Sequence, residues 1–327
     1  MSVKHVVSVS GGKDSTALLL LALERCPRGS VLPIFCDTGN EHQAVHEYLA
    51  YLEQALDVSI ARLTADFSRE IAAKRRFIAL DQRTGRDGQG RRRRWTNKAK
   101  RRALAVLHPT GNPFLDLCLW KGRFPSRKAQ FCTEELKRNM AVSYQIDVAD
   151  QGHQVISWQG VRRDESLNRR HAKKIQRIGR GMYAFRPLVD WTAADVFNYC
   201  ANKGLQPNPL YKQGMGRVGC MPCINAGKDE ITQIALRFPE HLAEKARWEE
   251  LVGQACKHGR MTFFNKELHP KGAPGRVIHS ANRIESVIEW ARTSRGGRQF
   301  SLLTDLDDAT ACASAYGLCD NPQPSGD

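Results

Sequence analysis

The amino-acid sequence predicts a doubly wound, mainly parallel α/β sheet with helices on both faces, followed by a helical C-terminal region. Three observations carry this. Short apolar, β-branched runs alternate with stretches of helical periodicity through the opening third of the chain. A Gly-Gly turn joins the first such run to the first helix, and no internal repeat competes with the alternation.

In chain order, Val6–Val9 is a short strand, and Ser15–Arg25 is a Leu/Ala-rich helix. Val31–Cys36 is a second strand ending in Asp37-Thr38-Gly39. Glu41–Leu56 is a helix, because Val45, Leu49, Leu52 and Leu56 recur at three-to-four spacing. Val58–Leu63 and Phe67–Leu80 make a third strand and helix. Thr84–Arg94 (TGRDGQGRRRR) has three glycines and no apolar residue, and is expected to be a flexible, solvated excursion. Regularity returns with a helix over Thr133–Ala149, a strand over Val155–Trp158 and a helix over Ala193–Lys203 with Thr192 as N-cap. The expected organisation is a nucleotide-type domain over 1–227, with a basic insertion at about 74–102. A mostly helical region follows over 228–320, with a disordered tail over 321–327.

Composition bounds the function. With 327 residues, 41% of them apolar and 26% charged, the chain can fill a sizeable core, which excludes wholesale disorder. No uncharged apolar run reaches the ~18 residues of a membrane span, and no signal-type apolar segment precedes VKHVVSVS, so the expected location is the cytoplasm, with no membrane partner. Ten irregularly spaced cysteines then read as metal ligands, catalytic thiols or packing residues rather than a disulfide framework. The net charge of +16 is concentrated: Lys74–Arg102 holds 13 basic and 2 acidic residues, against 37 and 32 in the rest of the chain.

Ser8-Val9-Ser10-Gly11-Gly12-Lys13-Asp14-Ser15 lies between a strand and a helix. A helix start exposes unpaired N–H groups and the positive end of the helix dipole. Two glycines admit an anion close to the backbone, Lys13 adds charge, and Ser10 and Ser15 offer hydroxyls. The Walker A pattern GxxxxGK[ST] is absent. SGGKDS instead resembles the PP-loop of the N-type ATP pyrophosphatases, which cleave ATP between the α and β phosphates. Asp37-Thr38-Gly39, followed by Glu41, resembles that family's second nucleotide-contacting loop.

Gly160-Val161-Arg162-Arg163-Asp164-Glu165-Ser166 follows an apolar strand, at the sheet edge where α/β proteins hold ligands. The long block RPLVDWTAADVFNYCANKGLQPNPLYKQGMGRVGCMPC, from Arg186 to Cys223, resembles the phosphoadenosine phosphosulfate (PAPS) and adenosine phosphosulfate (APS) reductase family. Together the blocks cover most of Val3–Gly227. The resemblance implies an adenine nucleotide alpha hydrolase-like, Rossmann-like fold that binds ATP and Mg²⁺ or a sulfonucleotide. Ser8, Ser10, Gly11, Gly12, Lys13, Asp14, Ser15, Asp37, Thr38, Gly160 and Arg162 are the expected nucleotide contacts, and Lys13, Asp14, Arg162 and Arg163 the catalytic candidates.

Cys220-Met221-Pro222-Cys223 has the spacing at which two thiolates reach one metal centre. In cluster-bearing APS reductases a vicinal Cys-Cys pair completes a four-iron cluster; at the corresponding place this chain has Phe131-Cys132. The resemblance therefore implies Cys132, Cys220 and Cys223 as ligands, with Cys319 as the first choice for the fourth and Cys312 and Cys118 behind it. A four-iron iron–sulfur cluster, zinc on the same thiolates, or no metal remain open. Cys26, Cys36, Cys200 and Cys256 read as packing residues. The Glu-Cys-Gly-Leu-His segment that carries the reductases' nucleophilic thiol is absent; Cys312 and Cys319 are its nearest remnants.

Arg91, Arg92, Arg93, Arg94, Trp95 and Lys98 are expected to bind nucleic acid, the cations on phosphates and Trp95 on bases. Protein docking by the same segment and a homodimer also stay open. Three functions follow: an ATP pyrophosphatase that adenylates an acceptor linked to nucleic acid or sulfur transfer, a thiol-dependent APS/PAPS reductase, and a non-catalytic subunit binding nucleotide and nucleic acid.

Overall fold

The computed structural model describes residues 2–88, 90, 92–165, 169–179 and 181–293. Arg91, Ser166, Cys312, Cys319 and the expected C-terminal tail lie outside the described residues.

Strand β1 (Val3–Ser8) leads into helix α1 (Lys13–Arg25), β2 (Val31–Asp37) into α2 (Gln43–Leu56), and β3 (Ala61–Thr64) into α3 (Ser68–Ala79). Helices α4 (Asn97–Val106) and α5 (Pro113–Lys121) follow. Next come a helical turn α6 (Phe131–Thr133), a π-helical stretch Glu134–Arg138 and helix α7 (Asn139–Asp150), in place of one continuous α-helix. Strands β4 (Gln154–Trp158), β5 (Ile175–Gly179) and β6 (Met182–Phe185) precede α8 (Ala193–Asn202) and α9 (Pro209–Lys212). The C-terminal region is helical: α10 (Lys228–Arg237), α11 (Pro239–Ala255), α12 (Gly275–Ala281) and α13 (Ile284–Ala291).

The six strands run in the order β3-β2-β1-β4-β6-β5, all parallel except β5, which pairs antiparallel with β6 at the edge. Chain progress reverses between β1 and β4, which pair from Val3↔Gln154 to Val7↔Trp158. Such a switch point opens a crevice beyond the strand ends. Alternation along β1 sends Val6 and Val7, both fully buried, to opposite faces. Val7 joins the large cluster with Leu18, Leu19 and Leu21 of α1, while Val6 joins Ile34, Val155 and Val148 of α7. Helix α1 is buried all round from Ser15 to Ala22 because it is held between the sheet and α8.

The stretch expected to be loose is a built turn. Arg93 N–H donates to Gly85 O, Arg86 and Arg92 form an antiparallel bridge, and buried Asp81 accepts from Arg83 and from Trp95 N–H. Helices α4 and α5 after it were not anticipated, although Thr96 caps α4, and Asn112 with Pro113 caps α5. Buried Ile231, Ile234, Trp248, Phe263 and Ile284 of the C-terminal region belong to the same apolar cluster as α1 and the sheet. Among the described residues no helix is long and apolar enough to cross a membrane.

Candidate functional site

The turn after β1 is held from several directions. Gly11 takes φ +71°, and a Cβ there would meet Val45 Cγ1 at 3.0 Å. Ser10 N–H donates to Ser15 Oγ at 3.0 Å, and Ser15 Oγ donates to Gly12 O at 2.9 Å. Two residues of the NPLY segment clamp the same turn: Asn208 Nδ2 donates to Gly11 O at 3.2 Å, and Tyr211 OH accepts from Lys13 N–H at 3.0 Å. Burial pushes the Tyr211 phenol up, so it stays neutral.

The turn after β4 closes on α1 from the switch-point side. A Cβ on Gly160 would lie 3.4 Å from the Asp14 carbonyl, so the backbones approach as closely as glycine allows. Arg162, only 4% exposed, donates from Nε to Asp14 Oδ1 at 2.5 Å and from Nη1 to both Asp164 oxygens.

Between these turns lies a cavity of about 550 Å³. Ser8, Ser10, Gly12, Lys13, Asp14, Ser15 and Gly160 line it, as the sequence reading expects. Gly11, Asp37, Thr38, Arg162 and Arg163 do not. Gly11 sits behind the turn against Val45 and Asn208. Asp37 Oδ1 accepts Gly39 N–H, and Thr38 donates its hydroxyl and N–H to Glu41, so both shape the loop from within. Arg162 acts through Asp14, whereas Arg163 pairs with Asp190 and the Ala172 carbonyl on an exposed side.

The sequence reading missed the opposite wall. Lys137 and Arg138 from the π-helical stretch, Arg169, and Arg217 ahead of the GCMPC turn all face this cavity, with Glu41 and Phe35. The π register, a recurrent feature of functional sites, is the local device at Lys137. Cys220 and Glu41 hold the Lys137 ammonium above its ordinary pKa.

Behind Lys137 the cysteines gather. Cys132, Cys220 and Cys223 are all half-buried. Burial pushes the Cys220 thiol up to about 11, and Cys132 is raised by burial and then by the nearby Cys223. Cys220 Sγ lies 3.5 Å from Thr38 Oγ1 and 3.6 Å from Glu41 Oε1, and Arg217 stands beside Cys223. Buried Cys118 lies behind Cys132, and desolvation raises its thiol well above the usual range. Two cations beside three thiols suit an anionic thiolate centre. Among the described residues, His42, Glu240 and His241 are the group of three ligand types with donor atoms all within 4.8 Å. Nδ1 of His42 there is already used, accepting Ala44 N–H to cap α2.

The nucleic-acid candidates are placed on the far side of α5. Arg92, Arg93, Arg94 and Lys98 are exposed, but Trp95 is 8% exposed and packed in the core cluster. Its ring is therefore a wall of the fold and not the open stacking surface that the sequence reading expects.

A protein of Escherichia phage 186, described as an uncharacterized 37.8 kDa protein, is 43% identical over 334 residues, covering 98% of this chain and 97% of its own length. An adenosine 5'-phosphosulfate reductase of Burkholderia cepacia is 38% identical over 68 residues, 20% of this chain and 27% of that enzyme. A phosphoadenylyl-sulfate reductase structure from Candida auris, a phosphate complex, aligns at TM-score 0.41 and 15% identity, covering 67% of this chain and 82% of that one. Residues 4–226 match the family described as the phosphoadenosine phosphosulfate reductase domain, a span holding all three motif blocks and every wall of the cavity, and the chain belongs to that family.

Proposed function

We propose that this chain binds Mg-ATP in the switch-point cavity and cleaves its α–β phosphoanhydride, releasing pyrophosphate and passing AMP to an acceptor. The observation that carries the reading is the convergence of Lys13, Lys137, Arg138, Arg169 and Arg217, from four separate segments, on the N-terminus of α1. A polyphosphate tail is the ligand such a wall neutralises. An acceptor nucleophile attacks Pα, the Pα–O bond to the β phosphate breaks, and its electron pair leaves with pyrophosphate. Charge grows on the departing oxygens, which Lys13 and the positive end of α1 would stabilise. Asp14 is tied to Arg162 and lies 3.5 Å from Lys13 Nζ, so Mg²⁺ would be held mainly by the phosphates. The acceptor belongs to nucleic acid or to a sulfur-transfer intermediate.

A four-iron cluster on Cys132, Cys220, Cys223 and a fourth cysteine is part of this reading, and when bound would supply electron transfer or structural cross-linking behind Lys137. The reductase alternative draws support from the partial identity to APS reductases. Against it, Cys36 is the cysteine among the described residues that lines the cavity, and burial pushes its thiol up to about 11, leaving a weak nucleophile at neutral pH. A nucleotide-loaded subunit without turnover would bind ATP and release nothing. The test is incubation with Mg-ATP labelled in the α phosphate, with and without single-stranded and duplex nucleic acid, reading pyrophosphate and AMP, both free and bonded to the acceptor. Pyrophosphate matched by free plus acceptor-bound AMP supports the proposal; ATP binding without either product favours the binding subunit. Sulfite release from a sulfonucleotide with a thiol donor favours the reductase.

A further inference from the structure

A second cavity, of about 640 Å³, opens where the basic insertion meets the end of α11, and neither the nucleotide chemistry nor the cysteine group uses it. Its walls are apolar and aromatic, with Phe77, Trp95 and Trp120, and its cations are Lys74, Lys121 and Lys257. A neighbouring hollow of about 450 Å³ shares Lys257 and His258 and adds Arg83 and Arg93, against the single acid Asp87.

The aromatic rings differ in what they can offer. Trp120 is covered on both sides, stacked on Phe67 at 5.6 Å with Lys121 Nζ 3.5 Å from its ring centroid. Trp95 is buried. Phe77 is 49% exposed, on the open side of α3, with the Arg83 guanidinium 4.7 Å from its centroid. The guanidinium lies over the ring face, and the planar Arg83–Phe77 pair is a surface against which a base can stack.

The cations around it are fixed in place. Lys257 Nζ donates to the Arg92 and Arg93 carbonyls, and Arg102 donates to the Gln254, Cys256 and Lys257 carbonyls at the end of α11. Ordering the insertion in advance lowers what a ligand must spend in ordering it.

We propose that this paired cavity and hollow is a binding site for single-stranded nucleic acid, with one unpaired base stacked against the Phe77–Arg83 pair and the flanking phosphates on Arg93 and Lys257. A base needs a flat apolar partner and phosphates need cations, and here the two lie side by side. A duplex keeps its bases stacked inside and cannot fill the aromatic half. Helix α5 joins the site to the ATP cavity: Asn112 at its start donates to Gly39 O, and Gly122 at its end lines the second cavity. Nine helical residues span about 14 Å. The inference deepens the acceptor half of the function proposed above and rests on that reading only for the strand's purpose; binding itself needs no ATP.

The experiment is fluorescence anisotropy of the full chain, without ATP, using a labelled oligothymidylate of about 16 nucleotides. The matching duplex and free thymidine monophosphate serve as competitors, across a salt series. Wild type is expected to prefer the single strand, with log affinity falling linearly in log salt by about 0.7 per phosphate contact. Phe77→Ala should weaken binding about five- to hundredfold with the salt slope unchanged. Arg93→Gln should reduce the slope by about one contact. Both changes are at the surface, so unchanged melting midpoints confirm intact folds. Equal affinity of wild type and Phe77→Ala, or of single strand and duplex, overturns the proposal. So does full displacement by the mononucleotide at equal base concentration, which would mark a free-nucleotide site. Strand binding that survives while no pyrophosphate is released separates failure of the ATP reading from failure of this one.

Discussion

Two cations of the candidate site, alike in sequence, differ in what surrounds them. The Arg162 guanidinium is buried and already committed, to Asp14 at 2.5 Å and to Asp164 at 2.6 Å. It is a positioning residue: it fixes the carboxylate in the first turn of α1, beside the turn after β1. Arg162→Met leaves Asp14 without its main partner, and breaking a buried pair costs on the order of 3 kcal/mol. The expected result is a large loss in denaturant midpoint, with ATP affinity falling as a consequence. Arg162→Lys keeps the charge but not the forked geometry, and should recover only part of the stability. Lys137 is the opposite case. It faces the cavity, with Glu41 and the Cys220 thiol beside it. Lys137→Met keeps most of the apolar stem and strands no buried salt-bridged pair, so its loss of stability should be smaller than that of Arg162→Met. ATP affinity, read by titration calorimetry, should fall about tenfold or more, the size of one charge-assisted phosphate contact. If Lys137→Met unfolds the protein and Arg162→Met does not, the two roles are reversed.

At the scale of elements, one carboxylate of α11 ties the C-terminal region together. Glu249, 3% exposed, accepts Phe263 N–H at 2.8 Å and Ile284 N–H, tying α11 to the following loop and to the start of α13. Burial raises its pKa from the ordinary 4.5 to about 7. The folded state therefore holds a proton that the unfolded state releases between those values. Its contribution to stability is complete below about pH 4.5 and is lost as pH rises through 7. Denaturant midpoints at pH 5 and pH 8 should show this fall, and Glu249→Gln should flatten it. A wild-type midpoint that rises over that interval in step with the mutant's would remove Glu249 as the cause. The elements most legible in the sequence are those whose burial repeats. β1 to α3 follow the apolar alternation, and Thr192 with Asp195 forms the capping box that starts α8. β5 was not legible because its residues are exposed, Ile175 at 62% and Ile178 at 46%, so no alternation marks it. Helix α4 was obscured by its arginines and lysines and α5 by a nearly continuous apolar run without helical periodicity, although their caps were in plain view. In the site, the turn from Ser8 to Ser15 was legible because its neighbours in sequence are its neighbours in space. Lys137, Arg217 and the Tyr211 clamp were not, since a contact such as Lys13 N–H to Tyr211, 198 residues apart, leaves no spacing to read.

Over the whole molecule, the cysteines test whether distant segments act as one unit. Cys132 comes from the helical turn before the π stretch, and Cys220 and Cys223 from the turn after α9. A bridge from Glu41 to Cys220, a bond from Met221 N–H to Asn40 O and another from Asn40 Nδ2 to Pro222 O fasten that turn to the loop after β2. Lys137 stands between, lining the switch-point cavity with Cys220 beside it. Thiols pushed up by burial are neutral on their own at pH 7, which leaves Glu41 as the carboxylate beside Lys137 and Glu230 as the one beside Arg217. Binding a metal centre would deprotonate the ligand thiols and add anionic charge beside both cations, so folding and metal binding should be coupled. Anaerobically purified protein is expected to contain iron at about four atoms per chain with visible thiolate-to-iron absorption. Cys220→Ser or Cys223→Ser should lower both iron content and unfolding midpoint, whereas Cys26→Ser, remote on α1, should lower neither. Oligothymidylate binding at the Phe77 cavity should survive the loss of iron, because α5 and α11 hold that site apart from the cysteines. Iron-free protein with full stability, indifferent to Cys220→Ser, would reduce these residues to packing and leave the Lys137 charge to be answered by Glu41 and the nucleotide.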